Sequence, residues 1–287
     1  MNKHFKILLL IFLSSIININ ASSLRIEPNV LAQDIQDYKI LDTRKTSVYD
    51  LGHIKGALSF PIELTYQDVK VNGKLTNPRK MQEILRQLGL ELNSKIIVYD
   101  NGDFFDAARL FWALEVYGFK EVKLLNAGYS HWNTLNYPVS KETPNIAPSN
   151  YIAKIDNSKF ATKFTTQIAT KNPTQIIIDA RPEKAYKGEI STAKRFGHIP
   201  KAKSFPASHN INYEDKEQKL QTISTLKDIY KNIDKSKKII IYCAIGRISA
   251  TNYFALRELD YDVANYDASW TEWGNDTSLP INNPSKK

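Results

Sequence analysis

The strongest constraint on the fold is an internal duplication, because two copies of one pattern imply two copies of one domain. The stretch "ILDTRKTSVYDLGHIKGALSFP" (40–61) is matched by "IIDARPEKAYKGEISTAKRFGHIPKAKSFP" (177–206). Each copy has an apolar run ending in Asp-x-Arg, then a Tyr, then Gly-His-Ile, and closes on Ser-Phe-Pro. The offset is 137 residues at Asp42/Asp179 and 145 at His53/His198, so the second copy carries an eight-residue insertion between these points. Further on, "SKIIVYD" (94–100) matches "KKIIIYC" (237–243) at an offset of 143, and "AGYSHW" (127–132) matches "ASWTEW" (268–273). Between the copies, "YPVSKETPNIAPSN" (137–150) is polar and holds three prolines, which suits an extended linker.

Within each copy the periodicity alternates. Short β-branched runs (96–99, 176–178, 239–242) lack the in-out pattern of a half-exposed sheet and are expected to be buried strands. Between them lie helical stretches. "PRKMQEILRQLGL" (78–90) puts Met81, Ile84, Leu85 and Leu88 on one face behind Pro78, and Tyr253, Leu256 and Leu259 fall at three-residue steps. The fold class expected is α/β: two homologous domains, each a parallel sheet flanked by helices on both faces. The boundaries expected are 24–140 for the first domain, 141–150 for the linker and 151–287 for the second. Phe111, Trp112, Phe254 and Trp273 are expected in the core.

The N-terminus has a separate purpose. "MNKHFK" is followed by "ILLLIFLSSII", an apolar run too short to span a bilayer, and Ala21 offers a small residue for cleavage. A signal peptide over 1–21 is expected, and with it export to the periplasm or the medium without stable membrane insertion of the mature chain. No cysteine near the cut offers a lipid attachment point. Removing Lys3 and Lys6 lowers the formal charge from +9 to +7. The lysines are scattered, with "KSKK" (235–238) the densest group, and no basic run interleaved with aromatics argues for a nucleic-acid partner.

Export favours disulfides, but Cys243 is the only cysteine and cannot form one within the chain. It stands where the strand "KIIIY" ends and a helix opens near Ile248 or Ser249. In an open parallel sheet, functional groups collect at such carboxyl ends. Gly246 permits a turn in the loop Cys243-Ala244-Ile245-Gly246-Arg247-Ile248-Ser249, so successive N–H groups have the means to curl around the sulfur as an anion nest, backed by a helix N-terminus. Ser249 is a candidate cap for that helix.

The paired Asp-x-Arg…Gly-His-Ile…Pro blocks, "IIIYCAIGRISATNYFALRELDY" and "YDASWTEWG" followed by "LPI" resemble the tandem-domain rhodanese family, the thiosulfate and 3-mercaptopyruvate sulfurtransferases, over about residues 24 to 282. The resemblance implies two domains of one fold, with catalytic Cys243 in the second and Asp100 at the matching position of the first. It implies ping-pong transfer through a Cys243 persulfide, from a small anionic sulfur donor to cyanide, a thiol or a protein acceptor, without cofactor or metal. Arg247 is the candidate for binding the donor, with Lys184 and Lys187 as alternates, since Ala185 stands where thiosulfate enzymes carry an arginine. Arg109 and its neighbours either face the loop across the domain interface or, for Arg109, make a structural pairing, and the two alternatives are equally weighted. Asp179 and Arg181 are expected to brace it, while His53 and His198, present in both copies, are expected to be structural.

Three rivals stand against this, one of them a degenerate scaffold without chemistry, which a cysteine kept in an oxidising compartment argues against. Phosphatases of a related fold need Cys-x5-Arg to grip phosphate bidentately, and that position is Ser249. An exported persulfide carrier that docks a partner would turn over small donors poorly.

Overall fold

A computed structural model describes residues 23–67, 73–214 and 219–285, so the expected signal peptide lies outside the described residues. In the first half, strands β1 (Arg25–Ile26), β2 (Lys39–Asp42), β3 (Leu58–Ser59), β4 (Ile96–Tyr99) and β5 (Val122–Leu125) form a sheet in the order β1-β5-β4-β2-β3. In the second half, β6 (Phe160–Ala161), β7 (Gln175–Asp179), β8 (Lys203–Ser204), β9 (Lys238–Tyr242) and β10 (Val263–Tyr266) repeat that order as β6-β10-β9-β7-β8. Every pairing in both sheets is parallel. The duplication in sequence is a duplication in topology.

The absence of alternation in the central strands has a direct cause. Ile96 and Val98 point into one core while Ile97 and Tyr99 point into another, and Ile239 and Ile241 are separated in the same way from Ile240 and Tyr242. Both faces of each sheet are covered, so each strand is apolar throughout.

The core containing Ile96 and Ile239 runs without interruption from one domain to the other. Helices α1 (Pro78–Gln87), α2 (Phe105–Val116) and α3 (Ile223–Tyr230) contribute to it, as does α4 (Ser249–Glu258). Helix α1 is capped by Asn77, whose side chain accepts from the N–H of Lys80, and it buries Met81 and Leu85 as its periodicity predicts. Helices α2 and α4 meet between the sheets, with Phe111 and Phe254 edge to face at 5.0 Å. Ten consecutive residues of α2, Ala107 to Val116, are buried, as expected of a helix enclosed on all sides. Phe111, Trp112, Phe254 and Trp273 are all core residues. Because α2 follows Asp100 and α4 follows Cys243, their packing sets the two corresponding loops beside each other.

The segment between the domains has no regular structure but is fastened to the first. Ser149 donates from its N–H to the Arg86 carbonyl at 2.9 Å and from its hydroxyl to the Leu90 carbonyl at 2.6 Å. Among the described residues no helix is long and apolar enough to cross a membrane.

Candidate active site

Cys243 follows β9 directly and is 1% exposed, packed with Ala180 and Ala207 under Phe105 and Ile248. Phe105 belongs to the first domain, so both domains wall the thiol.

The loop has a pronounced polarity. Every carbonyl from Cys243 to Ile248 has a donor. Trp270 N–H reaches Cys243 O, Thr271 N–H reaches Ala244 O, and the N–H groups of Ala250 and Thr251 reach Arg247 O and Ile248 O. Arg109 Nη1 donates to Gly246 O at 3.0 Å and to Ile245 O at 3.4 Å, and Asn265 Nδ2 donates to Gly246 O at 3.1 Å. By contrast, among the described residues no acceptor is found for the N–H groups of Ala244, Ile245, Gly246, Arg247 or Ile248. A loop whose carbonyls are all held outward leaves its amides for whatever occupies its centre.

Gly246 makes that winding possible. It has φ +70°, and a Cβ there would lie 2.3 Å from Asp267 O. At the other end of the loop the Cys243 N–H donates to Ser269 Oγ at 3.1 Å. Ser269 itself has φ +53°, at a position where the first copy has Gly128, so a serine is held in a conformation suited to glycine.

Ser249 departs from its expected role. It is the first helical residue of α4 rather than its cap, which is Ile248. Its hydroxyl lies 2.8 Å from Asn265 Oδ1 and 3.3 Å from Cys243 Sγ. A hydroxyl has one proton, so it donates to Asn265 while accepting from a thiol, or turns to donate to a thiolate. The hydroxyl is thus engaged by the buried sulfur and Asn265 and makes no cap bond to the helix end.

Arg109 reaches the loop from beneath, on the carbonyls of Ile245 and Gly246. It is fully buried, with Nη2 on Gly73 O at 2.8 Å, Nε on Thr65 Oγ1 at 2.9 Å and its guanidinium 3.8 Å over the Tyr66 ring. Burial pushes the Tyr66 hydroxyl up to about 12, against the pull of Arg109.

Arg247 points across the interface, where Nε donates to Asp106 Oδ1 and Nη2 lies 4.0 Å from Asp103. Asp179 and Arg181 brace the strand end. Their bidentate pair, at 2.9 and 2.6 Å, receives the Tyr242 hydroxyl on Asp179 and ties Arg181 to Gly197 O. Asp42 and Arg44 repeat this arrangement beneath Tyr99. Lys184 and Lys187 are not brought to the loop. Both are exposed, and Lys187 pairs with Glu183 at 3.6 Å. His198 stacks on Tyr186 at 3.9 Å with Nδ1 on the Tyr186 carbonyl, and His53 stacks on Tyr49 in the same way. Asp100 occupies the centre of the first loop, accepting from the N–H groups of Gly102 and Ala107. Burial, reinforced by Asp103, pushes its carboxyl up to about 8. Among the described residues no group of three or more His, Cys, Asp or Glu side chains could hold a metal ion.

Phe105, Asp106, Asn265, Asp267 and Ser269 were not singled out in the sequence. Asn265 carried the plainest signal, a polar side chain in the middle of a buried strand.

The family described as "Rhodanese-like domain" matches the chain twice, over residues 27–135 and 161–276. The chain belongs to the rhodanese family. This rhodanese is 31% identical over 257 residues to a Saccharopolyspora erythraea protein provisionally named a thiosulfate sulfurtransferase, covering 84% of this chain and 89% of that one. It is 30% identical over 250 residues to the sulfur carrier protein TtuD of Thermus thermophilus, covering 82% and 86%. The crystal structure of SseA from Escherichia coli, described as a 3-mercaptopyruvate sulfotransferase with the rhodanese fold, superposes with a TM-score of 0.77 at 27% identity, over 87% of this chain and 99% of that one. A tandem rhodanese with these relatives is a sulfurtransferase.

Proposed function

We propose that Cys243 carries the transferred sulfur as a persulfide. The observation behind this is the polarity of its loop, with six carbonyls engaged and five amides without an acceptor among the described residues. The thiolate attacks the outer sulfur of thiosulfate or the sulfur of 3-mercaptopyruvate. The S–S or C–S bond breaks, and its electron pair departs with sulfite or with the enolate of pyruvate, which then takes up a proton. The terminal sulfur of the persulfide is bound by the free amides. A second nucleophile, cyanide or a thiol, attacks that sulfur and regenerates the thiolate.

Incubating the mature protein with either donor is expected to add one sulfur to Cys243 in intact-mass spectra, and Cys243→Ser to abolish the adduct. No adduct with either donor, together with no thiocyanate in the presence of cyanide, would overturn the proposal.

The similarity to TtuD supports a second reading, a carrier that charges Cys243 and passes the sulfur to a protein. It predicts the same adduct with slow turnover by small acceptors. The lysine-flanked apolar leader supports export, which would make Ser22 the first residue found on N-terminal sequencing of the secreted chain.

A further inference from the structure

Rhodanese chemistry uses anionic donors, and the chain has a formal charge of +9, yet the one cation on the Cys243 loop is cancelled. Arg247 stands four residues after Cys243, and its guanidinium is paired with Asp106 and approached by Asp103. Both acids come from the first domain, at the start of α2. The residue between them that caps the thiol is Phe105, which packs on Cys243, Ala180 and Ala207 and has the Arg247 guanidinium 5.7 Å from its ring centroid. Arg247 therefore lies one aromatic ring from the thiol with its charge offset. Among the described residues, Lys184 and Lys187 are exposed and Lys187 pairs with Glu183, Arg109 is committed beneath the loop, and the thiol is packed by apolar Ala180, Ala207 and Ile248 with the uncharged Ser249 hydroxyl 3.3 Å from it.

We propose that Asp106 is a specificity-determining residue: by neutralising Arg247 it keeps the approach to Cys243 uncharged, and so disfavours a dianionic donor relative to a donor with one charge or none. The inference rests on Cys243 being the atom that accepts sulfur. A fixed change in local potential alters the free energy of approach in proportion to the charge of the incoming group, so the factor for a dianion is the square of that for a monoanion. With both groups partly exposed, a factor of about threefold per unit charge is expected.

The test exploits the lone cysteine. Alkylation of Cys243 by iodoacetate, which is anionic, and by iodoacetamide, which is neutral, is read by intact mass and involves no sulfur transfer. Asp106→Asn is expected to raise the iodoacetate-to-iodoacetamide rate ratio about threefold, and Arg247→Gln to lower it comparably. The double variant should return it to the native value. A general opening of the site would speed both reagents alike and leave the ratio unchanged. Asp103→Asn, which alters the more distant acid, should move the ratio in the same direction by less, and it serves if Asp106→Asn does not fold. In turnover, Asp106→Asn should raise kcat/KM for thiosulfate by about the square of its gain for 3-mercaptopyruvate, with the change in KM. An unchanged or lowered alkylation ratio in Asp106→Asn would overturn the inference. So would a double variant far below the native ratio, since Arg247 would then act on the anion directly. If neither donor charges the native protein, the persulfide proposal fails while the alkylation ratio still decides the role of Asp106.

Discussion

Arg109 of the first domain donates to the carbonyl of Gly246, the third residue after Cys243 in the second domain, at 3.0 Å. The same guanidinium holds Gly73 O and Thr65, and Gly73 is so close to Ile245 that a Cβ would lie 2.4 Å from the Ile245 carbonyl oxygen. The domain without a thiol thus fastens the loop of the domain that has one.

Replacing Arg109 by lysine keeps the charge but loses the planar fork that serves four oxygens at once. Arg109→Lys is expected to cost about 2–4 kcal/mol of stability, because buried acceptors lose charged donors. It should also lower kcat/KM for thiosulfate by about tenfold or more, as Ile245 O is freed to turn inward and Gly246 O is left to Asn265 alone. Thermal denaturation and steady-state kinetics check the two effects. Kinetics equal to those of the native protein would show that the loop keeps its winding without this anchor.

Gly246→Ala attacks the same winding from within. Its positive φ and the 2.3 Å approach of a Cβ to Asp267 O leave no room for a methyl group without moving backbone. A loss of about 1–3 kcal/mol is expected. The rate of persulfide formation, followed by stopped-flow mass spectrometry, should fall further than stability alone accounts for. A variant that charges with sulfur at the native rate would show the amide arrangement to be dispensable.

The duplication, the parallel strands and the position of Cys243 were legible in the sequence because each rests on local pattern. Ile96 to Tyr99 and Ile239 to Tyr242 read as strands covered on both faces, and they are. The sequence left Arg109 open between facing the loop and a structural pairing, because its partners Gly73, Ile245 and Gly246 lie far from it in the chain. What the sequence hid are contacts between residues far apart in the chain. Arg247 looked like a free anion-binding charge until the packing of α2 on α4 brought Asp106 to it, a pairing over 141 positions. Ser249 looked like a cap because the Asn265 that redirects its hydroxyl lies on another strand. Lys184 and Lys187 are near Arg181 in sequence but project into solvent.

The stacking of His198 on Tyr186, copied by His53 on Tyr49 in the domain without a thiol, marks these rings as structural. His198→Asn is expected to lose about 1–2 kcal/mol through the stacking contact and the bond to the Tyr186 carbonyl. Its kcat/KM should stay within about threefold of native, and the pH–rate profile should keep its shape. Loss of an ionisation from that profile would instead place His198 in the chemistry.

Asp267 gives the interface a dependence on pH. Its buried carboxylate accepts the Leu75 N–H at 2.8 and 2.9 Å, fastening the segment that presents Gly73 to Ile245. Burial pushes this carboxyl up to about 6, with Glu272 acting in the same direction and Arg109, the Leu75 N–H and Lys74 opposing. The folded protein therefore holds this proton to higher pH than the unfolded chain, whose carboxyl titrates near 3.8. Between these values the folded state binds more protons, so this group's contribution to stability falls as pH rises through the window. The cost is fully present above about pH 6, amounts to about 3 kcal/mol, and vanishes below about pH 4. Asp267→Asn keeps an acceptor for Leu75 and has no proton to release. Melting temperatures of the two proteins between pH 7 and pH 4.5 are expected to diverge, with the native protein gaining relative to the variant as pH falls. Asp100, also shifted upward by burial, contributes a slope of the same sign to both proteins and cancels in the comparison. Parallel curves for the two proteins would show that Asp267 does not titrate in this range.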